Sequence, residues 1–271
     1  PGGRLDERPR RRSAPRVLGT ARAHNLELKY LLSGCNVYYH RKVKINRSIP
    51  FRELRLFIFD LDGTLIDSRV DLANAVNAML RQVDRPELLH EIISTYIGDG
   101  GPMLVRRALG DPDDEEFVQH ALELFLAYYR EHKLDHTYVY DGVVESLTRM
   151  QAVFPEAKMA VLSNKPVNPS RQIVEALGLK PFFFQVYGGN SFHTKKPDPH
   201  GVLMLLKEAG GVAASQAVLI GDSAVDMLTA RNSGIYSVGC SYGLAPHTLE
   251  DAPPDILVGS PAEWARMIEG Q

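Results

Sequence analysis

Residues 57–65 read Phe57-Ile58-Phe59-Asp60-Leu61-Asp62-Gly63-Thr64-Leu65, an apolar run that ends on two carboxylates and a Gly-Thr turn. An unbroken apolar run closed by a turn predicts a short strand buried on both faces, as in a parallel sheet. Functional groups in such sheets collect beyond the carboxyl ends of the strands, where Asp60 and Asp62 fall. Packing asks for no pair of acids at that place. The alternative is a plain strand-end turn, in which Asp and Gly are both common.

The rest of the chain supports the parallel sheet. Leu56 to Phe59 is the first predicted strand, and Val70 to Val83 a helix with Val70, Ala73, Val76, Asn77, Leu80 and Val83 on one face, capped by Asp67 or Ser68. Further helices are predicted over Pro86 to Tyr96, Met103 to Leu109 and Asp113 to His132, the last amphipathic with acids at its start. Strand and helix then alternate: helix 142–152, strand 158–162, helix 168–177, strand 182–187, helix 199–209, strand 217–220, helix 224–233, strand 235–240, strand 256–258 and helix 262–268. The expectation is an α/β fold, a doubly wound parallel-sheet (Rossmann-like) core over residues 53–67 and 141–271, with right-handed crossovers. The all-helical interval, residues 68–140, is too long for a crossover and predicts an inserted helical cap domain. Residues 1–52 are expected to form a basic, poorly ordered N-terminal extension.

Charge separates that extension from the body. Residues 1–50 carry 12 Lys+Arg against 3 Asp+Glu, a net of +9, and the remainder 19 against 30, a net of −11. An acidic body is a poor nucleic-acid ligand. The Arg-rich leader reads as an organelle-targeting segment, an RNA-binding tail or sequence without a role, and the chain opens on Pro, as a fragment or processed product does. Two distant cysteines, Cys35 and Cys240, form no metal or disulfide framework, and no apolar run reaches the roughly 20 residues of a membrane span. A cytoplasmic protein is expected, a monomer or homodimer.

Other strand ends carry polar groups as well. Ser163-Asn164 offers a hydroxyl and an amide before a helix, a phosphate cradle or an ordinary N-cap. Lys195-Lys196-Pro197 offers fixed positive charge, or two solvated lysines. Gly221-Asp222-Ser223-Ala224-Val225-Asp226 adds two carboxylates, which could serve only as a cap and a partner of the helix dipole. A parallel sheet would bring these ends together. Four clustered carboxylates then repel unless a cation joins them, and a few carboxylates with a substrate phosphate is how Mg²⁺ is usually held. Such a set suits phosphoryl transfer, one carboxylate attacking phosphorus and its neighbour moving the proton.

Asp60-Leu61-Asp62-Gly63-Thr64-Leu65, Ser163-Asn164-Lys165, Lys196-Pro197 and Gly221-Asp222-Ser223-xx-Asp226 together resemble the four ordered motifs of the haloacid dehalogenase superfamily, over about residues 54–271. The resemblance implies Asp60 as nucleophile and Asp62 as general acid/base. It implies phosphoryl binding by Thr64, Ser163, Asn164 and Lys196, with Lys195 as the fallback lysine. It also implies Mg²⁺ held by Asp60, by Asp62 through its backbone carbonyl, by Asp222, and by Asp226 directly or through the surrounding shell. Asp62 argues against the dehalogenase branch, which lacks the second acid. The absence of His in Arg69-Val70-Asp71-Leu72-Ala73-Asn74 argues against the mutases. Asp67-Ser68-xx-Asp71-Leu72 and Gly98-x-Gly100-xxx-Leu104-xx-Arg107-Ala108-Leu109 look like the cap of phosphoglycolate phosphatases. The expected activity is Mg²⁺-dependent hydrolysis of a small phosphorylated metabolite, 2-phosphoglycolate foremost. Pyrophosphate, a nucleoside monophosphate or a sugar phosphate are alternatives, as is a non-catalytic phosphoryl-binding module. Arg107 or Arg106 could contact a substrate carboxylate, or be structural.

Overall fold

The structure, a computed structural model, describes Gly2 and residues 43–269. Most of the extension expected over residues 1–52 therefore lies outside the described residues. Its last ten do not: β1 (Lys44–Ile45) pairs antiparallel with β9 (Ile256–Val258), and Ile49 and Phe51 are buried in the core.

Seven strands form the main sheet in the order β1-β9-β8-β7-β2-β5-β6, where β2 is Leu56–Phe59, β5 Lys158–Leu162, β6 Gln185–Tyr187, β7 Ala217–Gly221 and β8 Tyr236–Cys240. All pairings but that of β1 are parallel. The apolar run at residues 56–59 is unbroken because β2 is covered on both sides. Phe57 and Phe59 face a core shared with α5 (Val143–Val153), α6 (Val167–Ala176) and α9 (Ala262–Glu269), while Leu56 and Ile58 face α7 (His200–Glu208) and α8 (Ala224–Ser233). Each such side chain contributes about 1.5–3 kcal/mol on burial. The chain winds from β2 through β5 to β6, then returns to place β7 on the other side of β2. The carboxyl end of β2 is thus the point where the winding direction reverses.

Between β2 and β5 the chain builds a helical layer: α1 (Arg69–Gln82), α2 (His90–Ser94), α3 (Gly101–Ala108) and α4 (Glu115–His132), with an apolar cluster around Val76, Met79, Leu104, Val105 and Phe125 that also takes in Leu244 from the loop after β8. Its two connections to the sheet pair with each other as an antiparallel ribbon, β3 (Ile66–Asp67) against β4 (Tyr138–Val139). Asp67 Oδ1 accepts the Arg69 N–H, so Asp67 caps α1, and the Ser68 hydroxyl is released for another contact. Asp71, buried in the first turn of α1, accepts from His136 N and Thr137 N at 3.0 and 2.8 Å and from Thr137 Oγ1 at 2.7 Å, tying the return connection to the outgoing one. No helix among the described residues is long and apolar enough to cross a membrane.

Asp71→Ala strands these donors, and hydrogen bonds to a charged acceptor are worth about 1.5–3 kcal/mol. Urea unfolding is expected to show a loss of about 2–4 kcal/mol, on that same basis, with Asp71→Asn losing less. A midpoint indistinguishable from wild type would contradict the role of Asp71 as the tie.

Candidate active site

Asp60 follows β2 directly, Ser163 follows β5 and Asp222 follows β7, so three adjacent parallel strands deliver their next residues to one edge. Asp226 joins them from the first turn of α8, and Lys196 from the loop before α7. Asp60, Asp222 and Asp226 each place a carboxylate oxygen within 4.8 Å of the others, and all three are buried. Lys196 Nζ sits among them, 2.8 Å from Asp60 Oδ1 and 2.6 Å from Asp226 Oδ1. The other oxygen of Asp226 accepts from Ser223 N and Ser223 Oγ in a capping box, so Asp226 fixes both the helix start and the lysine. Asp222 Oδ2 accepts the N–H groups of Leu244 and Ala245 at 2.7 and 2.9 Å. Room for Asp222 depends on a missing side chain: a Cβ on Gly63, which has φ +84°, would lie 2.2 Å from Asp222 Oδ2.

The electrostatics follow from this crowding. Burial, then the charges of Asp226 and Asp60, push the Asp222 carboxyl up to about 8 against the pull of two backbone N–H groups. Burial pushes Asp60 up to about 6 although Lys196 opposes it. Burial would lower the Lys196 ammonium, but Asp226 and Asp60 hold it well above its ordinary range. Three buried carboxylates with one lysine leave an excess of negative charge that a hard divalent cation would neutralise through oxygen ligands. The donor set fits such an ion: Asp60 and Asp222 each keep an oxygen not engaged by the lysine or the backbone amides.

The second acid of the opening motif has a separate environment. Asp62 accepts from Lys165 Nζ at 2.8 and 2.9 Å, one contact to each carboxylate oxygen, and from the Ser68 hydroxyl at 2.5 Å. Lys165 is itself buried, and its ammonium lies 4.7 Å from the ring centroid of Tyr129 on α4. Asp60, Asp62, Ser163, Asn164, Lys165 and Tyr129 all line one cavity of about 60 Å³ between the sheet edge and the helical layer. Ser163 Oγ accepts the Lys165 N–H at 3.3 Å, which leaves its own proton for a ligand. Asn164 Nδ2 donates to the Lys196 carbonyl oxygen at 3.1 Å.

Not every residue singled out from the sequence arrives there. Thr64 is buried with its hydroxyl 3.4 Å from Asp222 Oδ1, outside the lining of the cavity. Lys195 is exposed and donates to the Asp99 carbonyl oxygen at 2.7 Å, so of the two lysines Lys196 meets the acids. Neither arginine offered for a substrate carboxylate lines the cavity. Arg107 is paired with Asp99 and donates to the Tyr96 carbonyl oxygen, and Arg106 is paired with Glu115 and donates to the Pro112 carbonyl oxygen. Both serve the helical layer instead. Ser68, a cap candidate by sequence, Lys165, a motif member without a predicted role, and Tyr129 join the site as residues that sequence reasoning does not place there. Lys165 stands one residue past the Ser163-Asn164 pair, where a cation was available to notice, whereas nothing local marks Tyr129 among the aromatics of α4.

The raised carboxyls predict a pH dependence. Between about pH 4 and 8 the folded protein holds protons that the unfolded chain gives up, so stability is greatest at the acid end and declines as pH rises through the folded values. In chelator the melting temperature is expected to fall by several degrees from pH 5.5 to 8.5. A divalent cation should restore it at the alkaline end, and Asp222→Asn should flatten the slope. A metal-free melting temperature as dependent on pH in Asp222→Asn as in wild type would contradict the burial of that charge.

Comparison with known proteins places this arrangement. Residues 57–240 match the family model of the haloacid dehalogenase-like hydrolases. A phosphoglycolate phosphatase of Pseudomonas savastanoi pv. phaseolicola is 40% identical over 194 residues, 70% of each chain. One from Chromobacterium violaceum is 35% identical over 216 residues, 78% of this chain and 95% of its own. The crystal structure of a predicted phosphoglycolate phosphatase from Haemophilus somnus 129pt superposes with a TM-score of 0.73 at 29% identity, covering 79% of this chain and 98% of that one.

Proposed function

Because this chain belongs to the haloacid dehalogenase-like hydrolase family, we propose that it is a Mg²⁺-dependent phosphatase for a small anionic phosphate monoester, 2-phosphoglycolate first. The observation that carries the proposal is the placement of Asp60, a buried carboxylate 2.8 Å from Lys196 and beside Asp222, with Asp62 facing the same cavity. The names of the relatives support the choice of substrate.

In this proposal the phosphoryl group sits at the β2 edge, its oxygens accepting from Ser163 Oγ, Asn164 and Lys196 Nζ. An Asp60 oxygen attacks phosphorus in line with the ester oxygen, and the P–O bond to the leaving group breaks. Asp62 gives its proton to that departing oxygen, and the alcohol leaves. Asp62, now a carboxylate, takes a proton from a water that attacks phosphorus, and the acyl phosphate breaks to return Asp60 and inorganic phosphate. Lys165 and Ser68 keep Asp62 aimed through both halves. Asp60 and Asp222 would hold Mg²⁺, with the Asp62 backbone carbonyl and Asp226 in support, and the ion supplies charge neutralisation for the phosphoryl oxygens. The cavity is small: about 60 Å³ against roughly 10–15 Å³ for one water on a comparable measure. A phosphoryl group with a short tail suits it better than a nucleotide.

The purified protein is expected to release phosphate from 2-phosphoglycolate with Mg²⁺ and to lose this in excess chelator. Asp60→Asn should lower kcat by about 10³-fold or more, since it removes the attacking group. Wild-type rates in that variant would overturn the mechanism.

A further inference from the structure

Phosphoryl recognition accounts for Lys196 but leaves the second buried lysine of the site without a ligand-facing task. Lys165 is the one cationic side chain lining the cavity among the described residues, and the apolar part of the lining includes Leu72, Leu104 and Phe125. Its ammonium has three N–H donors: two contacts run to the oxygens of Asp62, and the third is left for the phenol of Tyr129, a neutral acceptor that a carboxylate oxygen would outcompete. Tyr129 stands next to it. That side chain is 4% exposed, its ring stacks on Phe125 at 5.8 Å, and its hydroxyl, beside the Lys165 ammonium, meets no hydrogen-bond acceptor among the described residues. Burial pushes the phenol up to about 12 while Lys165 pulls it down and Asp62 pushes it up, which puts the hydroxyl within the field of both. A buried donor without an acceptor is disfavoured by roughly 1–3 kcal/mol, so a ligand that supplies one is preferred.

We propose that Lys165 and Tyr129 form a subsite for a carboxylate on the leaving group, Lys165 Nζ and Tyr129 Oη each donating to one carboxylate oxygen. The proposal rests on the phosphatase reading above and adds to it the feature of the substrate that is recognised. Distance sets the length of that substrate. The ester oxygen must lie against Asp62 to receive its proton, and Lys165 Nζ is already within 2.9 Å of both Asp62 oxygens. A carboxylate carbon two bonds from the ester oxygen falls inside that reach, as in a phosphorylated 2-hydroxy acid. An anion several bonds farther along would leave the lysine for the apolar wall. The core provides the cation and the helical layer provides the phenol, so the carboxylate is grasped from both sides of the cavity.

The test compares two esters of equal length, 2-phosphoglycolate and ethyl phosphate, at saturating Mg²⁺ with the full chain. Tyr129→Phe keeps the ring stack and removes only the hydroxyl, and the ratio of kcat/KM for the acid over the neutral ester is expected to fall about tenfold, chiefly through KM. Lys165→Met is expected to reduce both rates through Asp62 but to lower the ratio further, by about 100-fold, on the scale of a lost charge-assisted contact. Calorimetry of 2-phosphoglycolate on Asp60→Asn, with and without Tyr129→Phe, reads the same loss in binding without turnover. Phosphate release from both esters with a ratio unchanged in both variants would overturn the subsite and leave the phosphatase standing. Failure of the wild type to release phosphate from either ester would overturn the phosphatase reading, and the subsite with it.

Discussion

Three buried carboxylates and one buried lysine occupy a few ångströms of space at the carboxyl end of β2, and everything around them is arranged to keep them there. Acids this close repel strongly away from water. Mobile loops would relax by moving apart. Here Asp60 is anchored by an interior strand, β2, between β5 and β7. Asp222 is held by two backbone N–H groups against glycine, and Asp226 is locked by its own helix cap. The double-sided apolar core is the restoring force: Phe57 and Phe59 on one face and Leu56 and Ile58 on the other prevent β2 from shifting. A site that is electrostatically unfavourable when empty of cations is, for the same reason, prepared to hold a cation.

The cavity has two walls of different origin. The sheet edge supplies Asp60, Asp62, Ser163, Asn164 and Lys165. The helical layer supplies Tyr129 and the Gly98–Gly101 turn, and it is joined to the sheet only by the chain that runs through the β3–β4 ribbon. Contacts across the gap are both polar, such as Lys195 Nζ to the Asp99 carbonyl oxygen and Asn164 Nδ2 to the Gly98 carbonyl oxygen at 3.5 Å, and apolar, Leu244 packing into the cluster of the helical layer.

The sheet was legible because double-sided burial writes an unbroken apolar run, and β2, β5 and β9 fall where such runs predict them. The long helices were legible through their 3.6-residue period. Two-residue elements carry no period, so β1, β3 and β4 went unread, although β3 and β4 connect the two layers. The helix expected over Pro86 to Tyr96 shrinks to His90–Ser94, because Asn77 bonds both the N–H and the carbonyl oxygen of Leu88 and holds that stretch extended. In the site, strand-end residues were readable since a parallel sheet dictates where they converge. The pairing of Arg107 with Asp99, and the meeting of Tyr129 with Lys165, depend on how the helical layer is set over the sheet, and local sequence is silent on that.

The central claim is that Asp60 itself becomes phosphorylated. Mixing the protein with 2-phosphoglycolate and Mg²⁺, quenching in acid within a turnover and reducing with borohydride converts an acyl phosphate to the alcohol. Peptide mass spectrometry is then predicted to find homoserine in place of Asp60, only when substrate was present. Reduction at Asp62 or another carboxylate, or at none while phosphate is released in the same time, would contradict the account.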